Sequence, residues 1–145
     1  MAGGYDVEIY NTLVPLEQPE TLSDVNVIVP IWSSARSSHQ PEFGNMTKKQ
    51  EDGLLKLVAS DCGLAGWHGH MGDAFRDCPT YHFLIGGQFV AHPPGWPDNP
   101  TPSDDFVSYD VTITRPTDPI VKGIKSFKLF SEQYFMLTDS SNEVL

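Results

Sequence analysis

Between Asp24 and Trp67 the chain switches twice between patterns that only one local fold satisfies together. Asp24-Val25-Asn26-Val27-Ile28-Val29-Pro30 is nearly continuous in β-branched residues, which pack well on a pleated strand. With so little polar alternation, the run predicts a strand buried on both faces, as at the centre of a parallel sheet. Thr47 then opens a helix: its hydroxyl can cap the first turn, Gln50 stands in capping-box position, and Leu54, Leu55, Leu57 and Val58 supply an apolar face. The helix should end near Ser60-Asp61. Gly63-Leu64-Ala65-Gly66-Trp67 is short and apolar enough to be the next buried strand. Strand, helix, strand in that order is a parallel crossover of right-handed sense, which makes the class α/β.

The second strand of that unit leads into the segment richest in chemistry. Residues 63–77, Gly-Leu-Ala-Gly-Trp-His-Gly-His-Met-Gly-Asp-Ala-Phe-Arg-Asp, hold two imidazoles, two carboxylates, one guanidinium and four glycines. Glycines there would let a small ligand approach the backbone closely. Gly66-Trp67-His68-Gly69 has the form of a nucleophile elbow, a tight strand-to-helix turn that lifts one side chain above the carboxyl ends of the strands. The lifted residue would be His68, suited to general acid/base work or to metal binding. The plainer reading is that His68 bonds neighbouring backbone and holds the turn.

The remaining segments fill in around this unit. Tyr5 to Tyr10 alternates as a strand, and Ser33 to Phe43 is polar and turn-rich enough for a surface loop. Pro79 to Ile85 reads as a short helix stopped by Gly86-Gly87. Residues 92–105 carry five prolines and predict a long loop. Phe106 to Thr114 alternates as a strand, Pro116 to Lys122 is a turn region, and Phe127 to Leu137 is extended and contains Glu132.

Composition limits the function classes. At 145 residues the chain is the length of one domain, and it has no apolar run near the roughly 20 residues of a membrane helix. The start, Met-Ala-Gly-Gly-Tyr-Asp, lacks the basic and apolar parts of a secretory signal, so a cytoplasmic protein is expected. A net charge of −10 with only nine scattered Lys and Arg argues against nucleic acid, because backbone binding needs clustered cations to displace counterions. Cys62 and Cys78 have no zinc-type partner spacing and read as reduced, structural thiols.

Within the glycine segment, His68 and His70 form an H-x-H pair that with Asp73 or Asp77 could hold a divalent metal. Histidines spaced this way also occur by chance, and His70 can simply face solvent. Asp73, Arg76 and Asp77 would share one turn if a helix starts near Gly72, with the carboxylates at the positive end of its dipole. Arg76 could clamp a carboxylate, a phosphate or a vicinal diol, or serve a structural salt bridge. His82 reads as a buried hydrogen-bonding residue inside its helix. His92, at the start of the proline loop, is the better site candidate. Glu132 is a carboxylate in an apolar strand, either an acid/base group or the partner of a buried cation.

Four blocks in order, Gly66 to Arg76, Gly86-Gly87-Gln88-Phe89-Val90-Ala91-His92-Pro93, Asp118 to Ile124 and Ser131-Glu132-Gln133-Tyr134, resemble the ThuA-like (trehalose utilisation) family. The resemblance covers the chain from about Asp24 onward. It implies a flavodoxin-like three-layer sandwich with a mostly parallel central sheet, related to the class I glutamine amidotransferases. His68 stands where those enzymes carry their elbow cysteine, so amidotransferase chemistry is not expected. The family is associated with use of trehalose and related disaccharides, alongside oxidoreductases that make 3-keto sugars.

The resemblance also implies that this chain lacks the family's first βα unit and stops early at Glu143-Val144-Leu145, a single domain truncated at both ends. The expected ligand is a small carbohydrate, with His68 and Glu132 catalytic and Trp67, His70, Asp73, Arg76 and His92 binding substrate. Neither nucleic acid nor membrane is an expected partner, no cofactor is expected, and a homo-oligomer stays open. The alternatives are a non-catalytic sugar-binding or regulatory domain and a metal-dependent hydrolase using the His-x-His pair.

Overall fold

The computed structural model describes residues 3–32, 44–92 and 106–145. The chain divides into two compact units, Met1–Ile85 and Gly86–Leu145.

In the first unit, strand β1 (Val27–Ile28) pairs in parallel with β2 (Gly63–Leu64), with helix α1 (Lys48–Ala59) between them in sequence. The capping box forms as expected: the Thr47 amide donates to Gln50 Oε1 at 2.9 Å, and the Gln50 amide donates to the Thr47 hydroxyl at 3.3 Å. Two donors that the helix ladder cannot satisfy are thereby paired. Leu54 and Leu57 turn inward from α1, and Ser60 ends the helix. Gln50, buried, donates from its amide to Glu17 at 3.0 Å, tying α1 to a 3-10 turn at Val14–Glu17. A second such turn follows at Pro19–Leu22.

Two short helices complete this unit, α2 (His68–Gly72) and α3 (Pro79–Ile85). The main core is Leu54, Ala74, Phe75, Cys78 and Tyr81, flanked by Ile28, Trp32, Leu64 and Leu84. Leu22, Leu57 and Cys62 form a smaller cluster on the other part of α1. The core therefore lies directly against the segment that follows β2.

The second unit is antiparallel. Gly86 takes a φ of +70°, which stops α3 at the predicted place and turns the chain into β3 (Gly87–Ala91). A Cβ there would also press on the end of the Asn142 side chain, which donates to the Gly86 carbonyl. β3 pairs with β6 (Phe135–Thr138), with a bulge between Phe89 and Ala91, and β4 (Phe106–Val111) pairs with β5 (Phe127–Glu132) over its whole length. Turns cover residues 117–123, where the Asp118 carboxylate accepts from the Ile120 amide at 2.9 Å.

Several expectations change in the structure. Among the described residues there are three two-stranded sheets, and the parallel part is the β1–β2 pair alone. Tyr5 to Tyr10 is no strand beyond a bridge at Tyr5. Its alternating side chains are exposed, with Ile9 at 89%, because alternation makes a strand only where a neighbouring backbone takes up its hydrogen bonds. The run from Asp24 to Pro30 keeps two ladder residues, and Val27 and Val29 are exposed rather than buried on both faces. β2 ends at Leu64, short of Trp67. The stretch 127–137 is two strands, interrupted at Gln133-Tyr134. Ser33 to Phe43 and residues 93–105 lie outside the described residues.

Candidate functional site

The turn after β2 is built by backbone conformation. The Ala65 amide donates to the Ile28 carbonyl at 3.0 Å, the last bond of the parallel pair. Trp67 is extended, and His68 then takes a φ of +55° as the first residue of α2. A left-handed conformation in a residue with a Cβ costs on the order of 1–3 kcal/mol and persists only where surrounding structure imposes it. Here the imposing structure is visible. A Cβ on Gly66 would lie 2.7 Å from the Met71 side chain, so α2 folds back tightly over the end of the strand. From below, the Tyr81 hydroxyl donates to the Met71 carbonyl at 3.1 Å, and the Trp32 amide donates to the His70 carbonyl at 3.5 Å. Tyr81 in turn packs edge-on against Phe75, ring centroids 4.9 Å apart. Burial pushes the Tyr81 phenol well above its ordinary pKa, so it stays a donor to that carbonyl.

The elbow expected from Gly66-Trp67-His68-Gly69 is thus present as strand, left-handed residue and helix. His68, Trp67 and His70 are exposed on it. The expected helix starting near Gly72 is not. α2 starts four residues earlier, at the elbow, and ends at Gly72; Phe75, two residues past its cap, takes a φ of +52°. Asp73 is its C-terminal cap, so it does not sit at the positive end of a dipole. The Asp73–Arg76 pair forms nevertheless, within a loop: Arg76 donates from Nε and Nη2 to the two carboxylate oxygens of Asp73, the second bond at 2.5 Å. This bidentate geometry fixes the guanidinium plane while the Arg76 side chain stays half exposed.

Asp77 points elsewhere and accepts from the Asn45 side chain at 3.0 Å. His82 bonds the Arg76 carbonyl through Nε2 at 3.1 Å, leaving its buried Nδ1 without a partner among the described residues. It is the partly buried hydrogen-bonding residue the sequence suggested. Among the described residues no three His, Cys, Asp or Glu side chains gather as a metal site. Cys62 and Cys78 are free and buried, and burial raises both thiols above their usual range, which suits packing and not nucleophilic attack.

The other two predicted residues belong to the second unit. His92 follows β3, and its Nδ1 lies 3.0 Å from the Gln133 carbonyl in the break between β5 and β6. Glu132 ends β5, half-buried, and accepts from the Tyr134 hydroxyl at 3.3 Å. The rings of Phe89, His92 and Tyr134 form a triangle with centroids 4.7–5.2 Å apart. Tyr134 was missed in reading candidate residues from the sequence. Its signal was present: it stands two residues after Glu132, the spacing that puts extended residues on one side of the chain.

The seven predicted residues therefore divide between the two units. Trp67, His68, His70, Asp73 and Arg76 belong to the elbow of the first unit, and His92 and Glu132 to the aromatic cluster of the second. The ThuA family, described as trehalose utilisation, matches residues 1–145, the whole length. This chain belongs to the ThuA family. Comparison with curated proteins and with solved structures gave no match. ThuA is a member of the glutamine amidotransferase-like superfamily, and in this ThuA chain the elbow residue is a histidine, both cysteines being buried elsewhere. Among the described residues no helix is long and apolar enough to cross a membrane.

Proposed function

We propose that this ThuA chain acts on trehalose or a related disaccharide, including the 3-keto form, with His68 as the acid/base group. The observation that carries the reading is the left-handed His68 at the turn from β2 into α2. Such strain clusters where function requires a side chain at an unfavourable backbone position. Around it the elbow offers what a sugar needs: an exposed indole on Trp67 for a pyranose face, a second imidazole on His70, and a guanidinium on Arg76 that Asp73 holds flat for two vicinal hydroxyls. An imidazole is suited to this work because one of its nitrogens can take a proton while the other gives one. His92 and Glu132 are read as further sugar-binding and acid/base groups. The flavodoxin-like arrangement of the family belongs to the same reading, with β1, α1 and β2 as one of its crossovers.

The test is incubation of the full-length chain with trehalose and with 3-ketotrehalose, with and without divalent metal, followed by product analysis. Turnover of one sugar that falls at least ~100-fold in His68→Ala supports the reading, as expected for loss of a general acid/base. Absence of turnover of both sugars under all conditions refutes it.

A further inference from the structure

In the second unit Tyr134 touches the His92 and Phe89 rings and bonds the Glu132 carboxylate, and the hydrogen bond of His92 decides which of its nitrogens can act. The partner of His92 Nδ1 is a backbone carbonyl, 3.0 Å away, and a carbonyl oxygen only accepts. Nδ1 therefore carries the proton, and in the neutral ring the lone pair lies on Nε2. The ring is held on two sides, by Phe89 with centroids 5.2 Å apart and by Tyr134 at 4.7 Å and 77°, an edge-to-face arrangement. The same Tyr134 gives its hydroxyl to Glu132 Oε2 at 3.3 Å. One side chain thus touches both the imidazole and the carboxylate, by different parts of itself.

We propose that Tyr134 is a positioning residue that couples His92 and Glu132 into one hydrogen-bonding unit for sugar hydroxyls, with Nε2 of His92 and the Glu132 carboxylate as acceptors. The proposal rests on the sugar reading above for its ligand, and on the contacts alone for the coupling. Neutral Nε2 accepts from a hydroxyl; the carboxylate accepts from another; neither needs a metal or a covalent step. The ring of Tyr134 sets the imidazole plane and its hydroxyl sets the carboxylate, so the two functions separate by substitution. The O···O distance of 3.3 Å is longer than the about 2.7–2.8 Å usual for a hydroxyl donor, so loss of the hydroxyl alone should have a modest effect.

Two measurements on the full-length chain decide it. Nitrogen-15 spectra of the histidine rings should show His92 with Nδ1 protonated and Nε2 bare; a ring protonated on Nε2 in the neutral form overturns the proposal. In Tyr134→Leu the His92 nitrogen signals should shift toward a mixture of the two tautomers, and unchanged signals overturn the role of the ring. Tyr134→Phe keeps the ring and covers the case in which Tyr134→Leu does not fold. It should leave the His92 signals in place and weaken binding of trehalose or 3-ketotrehalose, by calorimetry, about 3- to 10-fold, the range of one neutral hydrogen bond. Binding unchanged in Tyr134→Phe overturns the role of the hydroxyl. If the unsubstituted chain binds neither sugar, the sugar reading fails, and the nitrogen spectra still decide the coupling of Tyr134 to His92.

Discussion

His68 and His92 are held in place by opposite means. His68 is set by its backbone, bent to a positive φ at the start of α2 with its side chain exposed. His92 follows an ordinary strand, and its ring is set by a hydrogen bond to Gln133 and by contact with Phe89 and Tyr134. The first arrangement stores strain and draws support from the core beneath it. The second adds contacts that stabilise the fold it sits in. Substitutions at the two histidines should therefore report on different things, backbone strain at His68 and ring contacts at His92, even if both harm sugar chemistry.

The support beneath the elbow should give the largest effect. Tyr81, 1% exposed, joins the core to the Met71 carbonyl of α2. Tyr81→Ala should lower the unfolding free energy by about 3–5 kcal/mol, as for other buried aromatic truncations. Tyr81→Phe should cost about 1 kcal/mol for the hydroxyl bond alone. Urea titrations check both, and a cost below about 1 kcal/mol for Tyr81→Ala would show that the elbow does not depend on this core.

Alkaline pH probes the same core without substitution. Burial raises the Cys62 and Cys78 thiols and the Tyr81 phenol in the folded chain. The unfolded chain begins to release these protons near the ordinary values of about 8.5 and about 10, while the folded chain still holds them. It then binds fewer protons than the folded state, so stability is complete at neutral pH and falls as pH rises through the alkaline range. Denaturation midpoints at pH 7 and pH 10.5 test this, and equal midpoints would contradict it.

The direct contrast comes next. His92→Ala should destabilise by about 1–2 kcal/mol, because a half-buried carbonyl loses its donor and two rings lose a neighbour. His68→Gly should instead be neutral or stabilising by up to about 1 kcal/mol, since glycine adopts positive φ without penalty but adds freedom to the unfolded chain. Paired urea curves decide the sign, and a destabilised His68→Gly would mean that its side chain holds the turn. Smallest of all, Arg76→Lys should cost less than about 1 kcal/mol in stability, because the pair it breaks is partly exposed. Its effect should fall on sugar affinity, where an ammonium cannot reproduce the flat two-pronged donor.

Local signals in this sequence predict the structure where a few neighbouring residues determine the outcome. The capping box at Thr47 and Gln50, the helix from Pro79 to Ile85 with its glycine stop and the left-handed turn at His68 have the expected form, and the Asp73–Arg76 pair forms in a loop instead of on a helix. The capping box and the Asp73–Arg76 pair depend on contacts no more than four residues apart, whereas the elbow also takes support from Trp32 and Tyr81. Tyr5 to Tyr10 and the edges of the β-branched run were misread, because period-two patterning states a preference for pairing and is silent about whether a partner strand is there. The start of α2 was misplaced since the glycines hid a helix that begins on a strained residue. Tyr134 was passed over because an aromatic residue in an extended stretch looks like packing until its hydroxyl is seen on Glu132.

The sequence by itself determined helix α1 with its cap, the class, the family and the identity of the groups available for chemistry, since these follow from short-range patterning and from motif order. Tertiary structure alone decided that the five residues after β2 and the His92–Tyr134–Glu132 cluster belong to two separate compact units, and that Nδ1 of His92 meets the Gln133 carbonyl. The reason is the range of the interactions. The bond between His92 and Gln133 spans 41 residues, and a contact that distant depends on how whole strands pair, which no local pattern encodes.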